Sequence, residues 1–437
     1  MNKQLTFFEN KYYSENFLTK EFSKSQLDIL SKKRILEESN LNYKFVFVGV
    51  ISIGDIAFLV LPKTLNHPSK LINPITTIKT LRKYSLSNTQ LYDGIDYFNI
   101  EPDHPDCSEI AIAEFLINDF QENGLYTFSE ELNELNGNGD VIWDMTINNI
   151  DPIFSSNQPI YADTYNRIIL DDKNNLTIEI HKWSLNNLSK KYNILLDNSL
   201  VNFHFNFHSN LNEIGSTDEL LNHLQNQLKT IYSDRKLQII KSLIFLIKKK
   251  ANSMENSLTL YGTKKYENVW ESICKKLVNE NYKSNEIFPN PKWNIFDKIY
   301  KSRGTLIPDI LSKDNDTGNF YLFDAKYYSI NFIDKLTGTP DYKDILKQFQ
   351  YQIHIEKKIE KNISNSFLFP INDVDFHELK NNPKTISFNN YMAVIGFIEY
   401  ELFPSKKIWV IMCPFSKWQE SYIDNISIIY KNIFWRA

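Results

Sequence analysis

GTLIPDILSKDNDTGNFYLFDAKYYS, residues 304 to 329, reads as a β-hairpin with a Pro-Asp at one rim and an Asp-Ala-Lys on the returning strand. Thr305 to Leu311 is a short apolar run, β-branched at its start. Ser312 to Asn319 collects the Asp, Asn and Gly residues that make side-chain-to-backbone turns or accept positive φ. Phe320 to Tyr328 is aromatic-rich and returns as the second strand. Asp324 and Lys326 are two apart, so both project to one face while Ala325 points to the other. Asp309 lies fifteen residues before Asp324, and a hairpin between them can bring the two carboxylates together.

Two carboxylates and a lysine on one sheet face are costly to assemble, because like charges at close range repel and a divalent cation relieves that repulsion. Mg²⁺ takes one or two carboxylates plus waters and substrate phosphate oxygens. A lysine beside it can steer or deprotonate the attacking water and offset charge on the scissile phosphate. The residue set therefore points to phosphodiester hydrolysis.

Pro308-Asp309 followed by Asp324-Ala325-Lys326 resembles the PD-(D/E)xK signature of the restriction-endonuclease-like nucleases. Asp-x-Lys on a strand is by itself usually a solvated face, so the surroundings carry the reading. Lys264 to Val278 predicts a helix with Tyr266, Val269, Trp270, Ile273 and Leu277 on one stripe. The resemblance implies a supplementary acid on that helix, for which Glu271 is the better candidate of Glu267 and Glu271; a solvated Glu271 supporting Lys275 at i+4 is an equal alternative. Asp341 to Lys358 predicts a second helix with Lys347, Gln348 and Tyr351. A Gln followed by a Tyr on this helix fits the same family, where it supports the site, and a plain polar face is the equal alternative. Two strands are expected afterwards, Tyr391 to Tyr400 and Lys407 to Cys413. The fold class expected is α/β (α+β): a C-terminal αβββαβ core with helices on both faces of a mixed sheet, preceded by a mixed α+β N-terminal region.

The 437 residues allow two or three domains with sizeable cores, and 42% hydrophobic content with 14% aromatic is that of a globular chain. A net charge of -4 gives no global basic signature, so contact with DNA has to come from a local basic surface and a metal site. Cys107, Cys274 and Cys413 fit no metal spacing and read as reduced core thiols of a cytoplasmic protein. No stretch has the length of a membrane span. Asn136-Gly137-Asn138-Gly139 lacks a following Gly-Lys-Ser/Thr, so no Walker loop is present and any nucleotide is expected on another subunit.

In chain order, Ser25 to Glu37 predicts a helix, Phe45 to Lys63 a hairpin around Ser52 to Asp55, and Asn73 to Tyr84 and Cys107 to Glu122 two further helices. Val141, Trp143, Met145 and Ile147 predict one face of a strand, and Pro159 to Ile180 further strand. Ser216 to Glu219 is a capping box opening a helix, and Lys236 to Lys250 another. His204 and His208 predict one face of a strand, more in keeping with ordinary surface or core histidines than with a zinc pair. The domain boundary is expected near 252 to 260, giving residues 1–255 as N-terminal α+β and 256–437 as the nuclease domain.

Gly139 to Asn148 (GDVIWDMTIN), Tyr261 to Cys274 (YGTKKYENVWESIC) and the LIPDI…FDAKYY pair together resemble the LlaJI restriction-endonuclease family, related to McrC-type subunits. The resemblance implies a DNA-cleaving subunit of a bacterial restriction or phage-defence system, partnered by a separate McrB-like AAA+ GTPase, with the Phe45 to Lys63 hairpin in a region that docks on that motor. It implies Mg²⁺ held by Asp309, Asp324 and the Ala325 carbonyl, Lys326 orienting or activating the attacking water, and Glu271 and Gln348 assisting. Two rivals stand beside it: a nuclease-fold scaffold that only binds DNA or stimulates a partner GTPase, and a stand-alone repair or junction nuclease.

Overall fold

The structure is a computed structural model that describes residues 5–39, 42–54, 56–67, 73–87, 96–97, 107–127, 129–156, 158–171, 176–192, 210–251, 258–282, 292–301, 307–332 and 335–428. Residues 1–98 and 258–437 make one unit, and residues 99–257 a second.

In the first unit, the apolar runs around Ser52 form the expected hairpin at the centre of a five-stranded sheet. Its strands are Thr6–Phe8 (β1), Val48–Ile53 (β2), Ile56–Leu61 (β3), Asp96–Tyr97 (β4) and Leu258–Thr263 (β5), in the order β1-β3-β2-β5-β4. All six residues of β2 are buried, as a continuous apolar strand covered on both faces should be. Gly49 and Gly262 face each other across β2 and β5. A Cβ on Gly262 would stand 2.1 Å from the Val48 carbonyl oxygen, and its φ of +149 is itself a glycine conformation. That pairing ties residues 1–98 to the C-terminal half. The sequence division at 255 assigns them to a separate body, but register between strands some 200 residues apart leaves no local pattern to read. Pro74–Ser87 (α1) adds a second tie: the Lys83 ammonium donates to the Tyr422 and Ile423 carbonyls at 2.6 and 3.0 Å, filling orphan acceptors at a helix C-terminus.

Tyr266–Leu277 (α2) is the expected amphipathic helix, with Tyr266, Val269, Trp270, Ile273 and Leu277 buried. Lys292–Ile295 (β6) and Lys298–Lys301 (β7) form a hairpin of their own. The decisive hairpin follows as Ile310–Lys313 (β8) and Phe320–Ala325 (β9), its first strand starting later than the apolar run suggests. Tyr342–Ile359 (α3) then crosses to a strand absent from the sequence reading, Ser364–Ile371 (β10). Asp373–Asn381 (α4), Ser387–Phe388 (β11), Ala393–Ile398 (β12), Ile408–Pro414 (β13) and Phe415–Ile423 (α5) complete the unit. The six-stranded sheet runs β8-β9-β10-β13-β12-β11. β9, β10 and β13 are parallel neighbours, and the other pairs are antiparallel. The mixed sheet expected of the C-terminal core is therefore present, with β10 as an additional central strand.

In the second unit, Glu109–Asn123, Leu176–Lys191 and Asp234–Ala251 pack together as helices. Their buried charges are paired: Asp119 takes Arg235 at 2.6 and 2.8 Å, and Glu109 lies between Lys191 and Lys249. The capping box at Ser216 opens Thr217–Leu228 as expected. Two strand readings change. Only Asp140–Val141 is extended, and Trp143–Asn149 is a helix; Trp143 and Ile147 are four apart and fit a helical turn as well as an alternation. Ile178 and Ile180 lie in the helix Leu176–Lys191, after strands Gln158–Ile160 and Tyr165–Asp171. In the first unit the helix predicted through Glu37 ends at Lys32, because Leu36–Ser39 is a strand. Cys274 and Cys413 are buried, and Cys107 is half-buried, not a core thiol. His204 and His208 lie outside the described residues. No described helix is long and apolar enough to cross a membrane.

Candidate active site

The register of the β8–β9 hairpin assembles the site. Ile310 is paired with Phe323, so continuing the register by one position outward turns Asp309 toward Asp324. The Asp309 carboxylate accepts the Ala325 backbone N–H at 3.2 Å, extending the ladder by one side chain. Alternation puts Leu322, Asp324 and Lys326 on one face; Leu322 packs there with Tyr351 and Ile355 of α3. Tyr327, of opposite parity, turns to α2, its ring 5.4 Å from that of Tyr266.

Asp324 is 4% exposed. Its Oδ2 accepts from the Lys326 ammonium at 3.1 Å, while its Oδ1 is buried with no donor. Burial and the adjoining Asp324 carboxyl push Asp309 up to about 7, with Lys326 and the Ala325 N–H opposing. The two carboxyls form a dyad at the hairpin's open end. Lys326 also reaches Asp344 Oδ2 at 3.2 Å. Burial pulls the lysine down, but Asp324 and Asp344 outweigh it, and its pKa lies above the ordinary value.

Gln348 is fully buried and donates to Asn365 Oδ1 on β10 at 2.7 Å, while its own Oε1 has no donor. Asn365 in turn donates to Gln352 Oε1 at 3.0 Å. Gln348 thus fixes α3 against the central strand and makes no hydrogen bond to the two aspartates or Lys326. Tyr351 donates to the Ile307 carbonyl at 2.9 Å, anchoring the chain two residues before Asp309. Glu271 accepts from Lys275 at 2.6 Å, the i+4 pairing open in the sequence. That pair is within electrostatic reach of Asp309, which adds to the upward shift of Lys275. Glu280, on the exposed turn after α2, belongs to the same acidic neighbourhood: desolvation by the surrounding chain, Glu271 and Asp309 raise its carboxyl against Lys275.

Asp344, Asn365 and Glu280 were missed by sequence reasoning. Asp344 was signalled, since it lies one turn before Gln348, but an acid in a first helical turn is already explained by the helix N-terminus.

Among the described residues, no group of three or more His, Cys, Asp or Glu is arranged around a metal. The donor set still fits one hard dication: two convergent carboxyls, one with an undonated buried oxygen, which matches the one or two carboxylates Mg²⁺ takes.

One further anchor holds the strand. The Tyr327 hydroxyl donates to Glu9 Oε2 at 2.8 Å, and Lys63 sets its ammonium 4.3 Å over the Tyr327 ring. The residue after Lys326 is thereby fastened to the five-stranded sheet.

A mixed sheet whose hairpin ends in two aspartates and a lysine, roofed by a helix carrying Gln and Tyr, is the architecture of the restriction-endonuclease-like class. A family model for the LlaJI restriction endonuclease matches residues 47–398. The chain is 30% identical over 456 residues to the type II restriction enzyme BsuMI component YdjA of Bacillus subtilis (strain 168), across 98% of this chain and 96% of that protein. This chain belongs to the LlaJI restriction endonuclease family. Among solved structures it is similar to a chain of the refined half-complex from the tetradecameric assembly of Thermococcus gammatolerans McrB AAA+ hexamers with bound McrC, at TM-score 0.40 and 12% identity, covering 97% of this chain and 99% of that one.

Proposed function

We propose that this chain is the Mg²⁺-dependent DNA-cleaving subunit of a bacterial restriction system, acting in the cytoplasm with a separate McrB-like AAA+ GTPase. The observation that carries the reading is the convergence of Asp309, Asp324 and Lys326 at the open end of one hairpin, with the Lys326 ammonium 3.1 Å from Asp324. Asp309, Asp324 and the Ala325 carbonyl would hold the cation, which when bound supplies a Lewis acid for the phosphodiester and its attacking water. Lys326, kept charged by Asp324 and Asp344, donates to the water and scissile phosphate; a lysine with a raised pKa is a poor proton acceptor. Asp344 holds that ammonium as a second carboxylate partner at 3.2 Å. Gln348 and Tyr351 hold α3 and the Asp309 segment in place, and Glu271 with Lys275 sets charge at the rim. Docking on the motor is assigned to the region 1–255.

The test is cleavage of supercoiled plasmid with Mg²⁺ and GTP by the chain purified with its AAA+ partner. Asp309→Ala, Asp324→Ala and Lys326→Ala should each lower cleavage by about a thousandfold, the several kcal/mol that metal and charge stabilisation supply, while folding and partner binding survive. Equal cleavage by wild type and Asp324→Ala rejects the reading. Cleavage without GTPase and with preference for branched DNA would reassign the enzyme to repair.

A further inference from the structure

The β6–β7 hairpin is built against its own stability. Lys292 to Tyr300 are all exposed, on both faces of the ribbon. Register pairs Trp293 with Tyr300 and Ile295 with Lys298, so one face carries Trp293, Tyr300 and Ile295 with a lysine. Phe296 and Asp297 form the two-residue turn at φ +48 and +63. Such a turn is normally Asn-Gly, and a bulky residue there is strained. Phe296 takes that strain and buries nothing, being 95% exposed. A lone two-stranded ribbon is at best marginally stable in water, so folding alone does not explain these side chains.

Charge identifies the occupant. From Lys283 to Arg303 the sequence has five basic residues and two acidic ones, in a chain whose net charge is -4. The ribbon also lies close to the candidate site along the chain. Lys301 is eight residues before Asp309, a span of at most about 29 Å. The major groove of duplex DNA admits a two-stranded ribbon, and apolar side chains such as Phe can wedge at base steps. We propose that the Lys292–Lys301 hairpin is a duplex-DNA contact of this chain, Lys292 and Lys298 on phosphates and the Trp293–Tyr300 face with the Phe296 tip in a groove. The proposal rests on the nuclease reading and names the element that grips the substrate.

The test is binding of a fluorescent 30-base-pair duplex by the full chain, without divalent cation, across a salt series. Lys292→Glu with Lys298→Glu should weaken binding at least about tenfold and flatten the log–log salt dependence by about two, near 0.9 per phosphate lost. Phe296→Gly relieves the turn, so it keeps the fold, and should weaken binding several-fold with the salt slope unchanged. Variants that bind DNA within twofold of wild type overturn the proposal and leave the nuclease reading standing. The proposal is equally overturned if they keep DNA binding but lose self-association or the AAA+ partner, which makes the ribbon a protein contact. Wild type that does not bind the duplex overturns this proposal, while the nuclease reading stands or falls on the plasmid assay with Mg²⁺, GTP and the AAA+ partner.

Discussion

Asp309 makes the cation-free protein weaker as pH rises, and the effect is large enough to measure. Its carboxyl sits at about 7 in the folded chain against 3.8 for the free side chain. Between those values the folded chain keeps a proton that the unfolded chain has released. The resulting stability is complete below about pH 4 and is lost as pH rises through 7. A shift of about three units corresponds to roughly 4 kcal/mol, of which somewhat more than half falls between pH 5 and pH 8. Asp309→Asn removes the titration and keeps a hydrogen-bonding side chain. Hydrogen exchange of β9 and β10 amides in chelator reads the unit that holds the site. Other shifted groups, such as Glu9 and His181, are common to both proteins and drop out of the difference. Wild type should lose roughly 2 to 3 kcal/mol more than Asp309→Asn from pH 5 to pH 8. Parallel pH profiles, or a wild type that gains stability relative to the variant, would refute the proximity and burial on which the site is built.

Two further changes probe the frame around the dyad. Tyr327→Phe takes a hydroxyl donor from the buried Glu9 carboxyl, and should cost about 1–3 kcal/mol in chemical denaturation; no loss would mean that the link to the five-stranded sheet is not formed. Gly262→Ala puts a methyl group against the Val48 carbonyl and should lower the melting temperature by several degrees or leave the chain insoluble, whereas a variant as stable as wild type would contradict the β2–β5 pairing.

How much the sequence revealed follows the range of each interaction. Asp324 and Lys326 were legible because a two-residue spacing on a strand fixes their common face, and Asp309 because a turn of Asp, Asn and Gly closes the hairpin that faces it to Asp324. The helices α2 and α3 were legible from their apolar stripes. β10 was not: Ser364 and Asn365 open it and Pro370 lies inside it, and a proline argues against a central strand. Here Pro370 sits at the strand's end, opposite Cys413. Trp143 and Ile147 misled because their four-residue spacing suits both periodicities. The union of β2 with β5 has no local signature, and Asp344 was hidden behind the helix end it occupies.

The central claim is that Asp309, Asp324 and the Ala325 carbonyl surround one divalent cation. Anomalous scattering from crystals of the chain soaked in Mn²⁺ tests it most directly. A single peak bounded by those three groups, absent in Asp324→Asn, is the expected result; a map with no peak there, or the same peak in the variant, contradicts it.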